Sequence, residues 1–264
     1  MDALIIAAGF GSRLASLSPS KPLTPIAGVP LIELGVCQAK AAGAARVVVV
    51  TGHEAERVEA FLPSLAARAG IAIVAERVAD WSKPNGFSVM AGAARIDGDY
   101  LLMMADHIFA APILQRLAHQ GASARGVTLA IDRQIDSPLI DPDDATWVKT
   151  GEAGRICAIG KTIPTYDAVD CGAFLATPEL AGAIAEAVAA GKSGSLSDGM
   201  QRLADKGRAF TMDVGEGPAA WWMDVDDPRA HSIAETEAPK YLADLYNPAS
   251  IAPLRLAAIP STKP

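Results

Sequence analysis

The stretch Leu4-Ile-Ile-Ala-Ala-Gly-Phe-Gly-Ser-Arg-Leu14, followed by Ser20-Lys-Pro-Leu-Thr-Pro25, decides how the rest of the chain is read. Leu4 to Ala8 is a short apolar run without alternation, the pattern of a strand buried on both faces. It feeds a loop of small residues whose bare backbone N–H groups can cradle an anion. A dinucleotide fingerprint needs G-x-G-x-x-G and an acidic residue at the end of the second strand. Here Gly9 and Gly11 are followed by Leu14, and the second strand ends in Thr51-Gly52. A Walker loop needs G-x-x-x-x-G-K-[ST] between strand and helix. Gly9 to Leu14 has no such lysine, and Gly191-Lys-Ser193 follows a helical segment without the upstream glycine. What remains is a small-residue loop with two cations, Arg13 and Lys21, placed to meet one anion; a triphosphate fits. The alternative is an ordinary glycine turn with solvated Arg and Lys.

Outward from that loop, buried runs alternate with helical segments. Leu31 to Ala42 predicts a helix closed by Gly43, and Val47 to Val50 a second buried strand. A helix over His53 to Ala69 precedes a third strand at Ile71 to Ala75, and another helix follows Asn85-Gly86. Tyr100 to Ala105 is a fourth buried strand that runs into Asp106-His107. This alternation implies an α/β fold: a mixed, mostly parallel sheet with helices on both faces, Rossmann-like, with ligands at the carboxyl ends of the strands. After about Val127 strands dominate, at Val127 to Asp132, Thr146 to Lys149, Arg155 to Ile159 and Cys171 to Ala176. Helices are expected at Glu179 to Ala190, at Leu196 to Lys206 and from Pro228, with strands near Arg208 to Val214 and at Trp221 to Asp226. The expectation is a single domain over 1–246, with a nucleotide half of about 1–110 and an acceptor half of about 111–246. An Ala- and Pro-rich tail, 247–264, follows.

Of 264 residues, 23 are Lys or Arg and 30 Asp or Glu, so the net charge of −7 argues against a nucleic-acid partner, which needs a basic surface. Cys37, Cys157 and Cys171 are scattered and form no CxxC pair, which fits reduced thiols and argues against structural zinc. No basic leader and no apolar segment of roughly 20 residues occurs, so a cytoplasmic protein without a membrane segment is expected.

The opening, read together with Lys21-Pro22 and Gly28-Val-Pro-Leu-Ile32, resembles the nucleotidyltransferases that activate sugar, choline or polyol phosphates. Further matches are Glu76-Arg77, Asn85-Gly-Phe-Ser88, Met104-Ala-Asp-His107, Ile159-Gly-Lys161, Val169-Asp-Cys-Gly-Ala-Phe174 and Trp222-Met-Asp-Val-Asp226. The set is similar to the inositol-1-phosphate cytidylyltransferases, which join CTP and a cyclitol phosphate into a CDP-polyol. The resemblance covers roughly residues 2–235 and implies the nucleotide-diphospho-sugar transferase type of fold. Members are often fused to a membrane synthase domain, and this chain ends without one; a free-standing enzyme with a different acceptor or pathway is one expectation.

What the resemblance implies is in-line attack of a phosphate-monoester oxygen on the α-phosphorus of an NTP, with CTP favoured and pyrophosphate leaving. Positioning and charge neutralisation carry such a reaction. Arg13 and Lys21 would offset the triphosphate charge. Magnesium takes oxygen ligands from one or two carboxylates, and Asp106 with Asp224 and Asp226 suits it, since side chains two apart on a strand share a face. Helix N-caps are the alternative for Asp106 and Asp226. The nucleotide is expected to meet Ala7, Ala8, Gly9, Gly11, Ser12, Thr51, Gly52, Glu76, Asn85, Gly86 and Ser88; Glu76-Arg77 is as readily a surface ion pair. Lys161 is assigned to the attacking phosphate, and Asp170 and Gly172 to the polyol hydroxyls. A phosphate monoester needs no strong base, so His107 is read as a local hydrogen-bonder, and Trp147, Trp221 and Trp222 as core or cleft wall. Sugar-1-phosphate, choline-phosphate and phosphonate acceptors, a homo-oligomer, and a catalytically silent nucleotide-binding subunit remain open. Retention of Arg13, Lys21, Asp106 and Asp224 argues against silence.

Overall fold

The computed structural model describes residues 1–121 and 125–246; the tail expected over 247–264 lies outside the described residues. The strands are β1 (Asp2–Ile6), β2 (Pro25–Ile26), β3 (Val29–Pro30), β4 (Arg46–Thr51), β5 (Ala72–Arg77), β6 (Tyr100–Met104), β7 (His107–Phe109), β8 (Val127–Asp132), β9 (Trp147–Thr150), β10 (Ile156–Gly160), β11 (Ala168–Ala176), β12 (Ala209–Asp213) and β13 (Trp222–Asp224). The helices are α1 (Leu31–Ala41), α2 (Ala55–Ala69), α3 (Gly86–Ala93), α4 (Ala111–Gln120), α5 (Glu179–Ala189), α6 (Leu196–Asp205), α7 (Pro228–Tyr241) and α8 (Ala243–Tyr246).

A nine-stranded sheet runs β10-β9-β11-β6-β1-β4-β5, with β8 along the other edge of β11 and β12 outside β8. Only β10 and β11 run against the rest, so the expected mixed, mostly parallel α/β sheet is what forms. The β-branched run of β4 shows why. Val47 and Val49 point into one core with Ile32 and Val36 of α1 and Leu62 and Leu65 of α2. Val48 and Val50 point into another with Val89 of α3, Ile184 of α5 and Met200 of α6. Alternate side chains of a strand leave on opposite faces, so an unbroken apolar run requires helices on both. A third cluster joins Ile108, Trp221, Met223 and Val225 to Ala234 and Ala238 of α7, and it fixes the β7–β13 ribbon.

Helix starts follow local chemistry. Ser195 and Asp198 form a capping box at α6, and the Asp227 carboxylate accepts the Ala230 amide at 2.7 Å, with Pro228 at the first helical position of α7. Asp227, rather than Asp226, is therefore the cap, which leaves Asp226 free of that duty. Asp106 lies in the turn between β6 and β7 and caps no helix.

Gly86, expected at the nucleotide, serves packing. A Cβ there would stand 2.2 Å from the Gly194 carbonyl oxygen and 3.0 Å from the Ser195 carbonyl carbon, and backbone atoms cannot swing away. Gly86→Ala should destabilise by about 1–3 kcal/mol, outweighing the helical gain of a Cβ, and lower Tm by roughly 2–4 °C per kcal/mol. A thermal melt checks this; an unchanged Tm would return Gly86 to a purely ligand-directed role.

Candidate active site

The carboxyl ends of β1, β4 and β6 lie side by side: the Ala7 amide donates to Val50 O at 2.9 Å, and the Ala105 amide to Ile6 O at 3.2 Å. This edge carries the glycine loop and Asp106 together. Gly11 adopts a left-handed conformation (φ 62°), and a Cβ on it would lie 2.5 Å from the Lys21 Cβ. Its missing side chain is what admits the Lys21 stem, whose Nζ reaches Asp106 Oδ2 at 2.6 Å. A cavity of about 240 Å³ opens here, lined by Ala7, Ala8, Gly9, Gly11, Lys21, Asn85, Ser88 and Asp106, and also by Trp81 and Lys83.

A second cavity, of about 210 Å³, shares Asn85, Met104 and Asp106 with the first. Its walls hold His107, Asp144, Lys161, Asp170, Gly172, Asp224, Asp226 and Arg229. The β7–β13 ladder sets His107 opposite Asp224, and the Val225 amide donates to Asp106 O at 2.9 Å. His107 Nδ1 is 2.8 Å from Asp106 Oδ1 and 3.7 Å from Asp224 Oδ1. Its ring stacks 6.1 Å from that of Trp222, whose Nε1 donates to Asp132 at 2.9 Å. On the other side Gly172, at φ 77° in the irregular stretch of β11, makes room, because a Cβ would fall 2.4 Å from His107 Cδ2.

The centre is crowded with carboxylates. Burial raises the Asp106 carboxyl, but Lys21 and then the His107 hydrogen bond outweigh it and hold Asp106 well below the usual range. Burial likewise opposes ionisation of Asp144, and hydrogen bonds from Lys161 and Arg13 overcome it. For Asp224 and Asp226 the nearby cations are outweighed: burial first, with neighbouring carboxylates, pushes them up to about 6 and about 7 against His107 and Lys21 at Asp224 and Lys21 and Arg13 at Asp226. Asp170 is raised to about 6, chiefly by burial. For His107 burial favours the neutral ring, yet Asp224 and Asp106 carry it up to about 9. Asp224 Oδ1 is buried without a hydrogen-bond partner. Asp106, His107 and Asp224 bring ligand atoms within 4.8 Å of one another, as do Asp144, Asp224 and Asp226. A buried orphan oxygen among carboxylates fits a hard divalent cation.

Most expected residues converge. Arg13 is turned toward the acidic centre, pairing with Asp226, with Asp144 at 2.5 Å and with Asp141 at 3.5 Å; Ser12 opens the short helical turn that carries it. Lys161 pairs with Asp144. Asp170 lines the second cavity, and its Oδ1 accepts the Gly172 amide at 2.7 Å. Asn85 Oδ1 accepts the Leu196 amide at 2.9 Å, so its carbonyl tethers α6. Six expected residues line neither cavity: Ser12 and Arg13 of the short helical turn, Gly86 in its packing position, and Thr51, Gly52 and Glu76. Thr51 bonds Glu59 at 2.6 Å, Gly52 packs under Trp81, and Glu76 pairs with Arg95 at 2.9 Å. Arg77 pairs with Glu59, so the two neighbours are ion-paired but not to each other. Sequence reading missed Asp144, Arg229, Trp81 and Lys83. Asp144 lay in Asp141-Pro-Asp-Asp144, a segment with ordinary turn chemistry.

Residues 3–208 match the MobA-like NTP transferase domain, and the chain belongs to that family. A bifunctional IPC transferase and DIPP synthase of Rubrobacter xylanophilus is 31% identical over 238 residues, 89% of this chain and 51% of that protein. A second protein of that description, from Aquifex aeolicus, is 31% identical over 229 residues. The chain spans about half the length of these curated relatives. The fold is that of the inositol-1-phosphate CTP transferase from T. maritima (TM-score 0.80, 22% identity, 93% of this chain and 96% of that one). It also matches UDP-glucose pyrophosphorylase complexed with UDP-glucose (TM-score 0.74, 19% identity, 91% and 99%). Among the described residues no helix is long and apolar enough to cross a membrane.

The raised His107 pKa has a definite sign. Its stabilising contribution is complete below the ordinary value of 6.5 and is lost as pH rises through about 9. In chelator, Tm should fall between pH 6.5 and 9, and His107→Gln should flatten that fall. A wild-type profile that is flat over this window would rule out a protonated His107.

Proposed function

We propose that the protein transfers a nucleotidyl group from an NTP, with CTP favoured, to the phosphate monoester of a polyol such as inositol 1-phosphate, releasing pyrophosphate. The observation that carries this reading is the pair of adjoining cavities, about 240 and 210 Å³, that share Asp106. One is walled by the glycine loop and Lys21; the other by Lys161, Arg229 and hydroxyl-binding groups such as Asp170. In-line transfer requires the attacking oxygen to face the α-phosphorus, and two adjoining cavities suit two phosphorylated substrates held in that way. The CTP and inositol preference rests on the names of the relatives described above and on the motif resemblance.

In the first cavity the backbone of Ala7 to Gly11 receives the triphosphate, and Lys21 offsets charge on the departing pyrophosphate. Magnesium, held at Asp224 with Asp106 or Asp226 beside it, would neutralise developing charge on the phosphates; Asp224 is common to both ligand groups, one with Asp106 and His107 and one with Asp144 and Asp226, and its orphaned oxygen suits the role. In the second cavity the acceptor phosphate takes over Lys161, now paired with Asp144. A monoester oxygen then attacks the α-phosphorus, and the bond to the bridging oxygen of the leaving pyrophosphate breaks. The nucleophile is already anionic, so no general base is called for, and protonated His107 balances Asp106 and Asp224.

The test is pyrophosphate release with magnesium across the four NTPs, each with inositol 1-phosphate, a sugar 1-phosphate, choline phosphate or a phosphonate. Release should be greatest with CTP and a polyol phosphate; nucleotide binding with no turnover for any pair would leave only a silent binding protein. Asp106→Asn should lower kcat at least about 10²-fold while the fold is retained by circular dichroism. Lys161→Ala should raise the acceptor KM and leave the NTP dissociation constant unchanged.

A further inference from the structure

Three aromatic rings gather beside the glycine loop, and one of them, Trp81, lines the first cavity. Phe10, between the two glycines of the loop, meets His53 edge-on at 4.5 Å and Trp81 at 6.1 Å; His53 meets Trp81 edge-on at 5.1 Å. Phe10 is 47% exposed and Trp81 42%, whereas Trp147, Trp221 and Trp222 are buried. Two large rings left in water beside a cavity are costly unless something covers them.

The local structure holds them there. Asp80 Oδ1 accepts the Ser82 amide at 3.1 Å and the Ser82 hydroxyl at 2.6 Å, fixing the turn that carries Trp81. Gly52 lets this turn come close: a Cβ on it would stand 2.6 Å from Trp81 Cβ and 2.7 Å from Ala8 O. The His53 amide donates to the same Ala8 oxygen at 2.9 Å. Lys83, two residues on, lines the same cavity. Thus Gly52, expected to touch nucleotide, instead sets the height of the aromatic wall above the glycine loop.

We propose that Trp81, with Phe10, forms a stacking clamp for the nucleobase of the NTP. The clamp rests on the nucleotidyl-transfer reading given above and adds to it the residues that hold the base. The occupant follows from what shares the cavity with Trp81: the glycine loop and Lys21 suit phosphate, so the ring is left to meet the group attached to that phosphate. A nucleobase presents a flat π-face, and stacking on an aromatic side chain is tolerant of base identity. Trp81 and Phe10 therefore supply affinity, while the choice among bases falls to polar groups deeper in the cavity, where Ser88 lies.

Equilibrium binding of CTP and of inorganic tripolyphosphate, which keeps the phosphates and has no base, separates the contributions. Trp81→Ala should bind CTP about 10-fold or more weakly and tripolyphosphate as the wild type does; Trp81→Phe should restore most of the CTP affinity. Phe10→Ala should weaken CTP in the same direction. CTP should also quench tryptophan emission in the wild type, and Trp81→Phe should remove the quench. Equal CTP affinity in wild type and Trp81→Ala overturns the clamp while leaving nucleotidyl transfer standing. Equal weakening of tripolyphosphate also overturns it, since the tryptophan would then act on the phosphates. A wild type that binds no NTP overturns both readings.

Discussion

The contact on which the site depends is the ion pair between Lys21 Nζ and Asp106 Oδ2. Asp106 stands at the end of a strand buried on both faces, where an uncompensated carboxylate would take up a proton. Lys21 keeps it ionised, and it can do so because Gly11 has neither a side chain nor a right-handed backbone. A glycine in one loop, a lysine in the next turn and an aspartate far along the chain thus form one unit. Removing Lys21 would leave Asp106 with His107 alone, and removing Asp106 would leave Lys21 with the more distant Asp226 at 3.9 Å, so either loss strips a buried charge of its main partner.

Around this pair the charges are divided unequally. Asp106 and Asp144 each have strong cationic partners, whereas Asp224 and Asp226 are left resisting ionisation. The chain therefore carries more carboxylate than its own cations neutralise in this corner, and the surplus lies where a divalent cation would offset it. Arg13 and Lys161 both engage Asp144, so this one side chain occupies cations from the glycine loop and from the turn after β10 alike.

Much of the fold could be read in the chain because the signals were local. The apolar run of β4 forces helices onto both faces, and Asp227-Pro228 starts α7 by its own chemistry. The helix α4 was not anticipated, although Ile113, Leu114 and Leu117 form its buried stripe, because it starts without a side-chain cap and with a proline in its first turn. At the site, Lys21, Asp106, Asp224 and Lys161 were legible as charged residues at the ends of predicted strands or in motifs. Asp144 was not, since a turn aspartate looks the same whether it faces solvent or a guanidinium. Gly52 and Gly86 were expected to face ligand, but a glycine's absent side chain does not say which neighbour fills the space; here they are the Trp81 turn and the backbone at Gly194.

Strand β11 runs against its neighbours and is shared: its C-terminal half pairs with β6, which leads into the turn carrying Asp106, and its other edge pairs with β8. Gly172, in the interruption of the β8 ladder between Asp170 and Phe174, rests against His107. The two cavities consequently hang from one continuous hydrogen-bonded sheet, and sliding one against the other would shear β11 itself. Accommodation of substrates of different size falls to what lies off the sheet: the glycine loop, the Trp81 turn and the segment carrying Asp141 and Asp144. The scaffold works as a fixed jig, and its adjustable parts are the side chains and loops clamped along its rim.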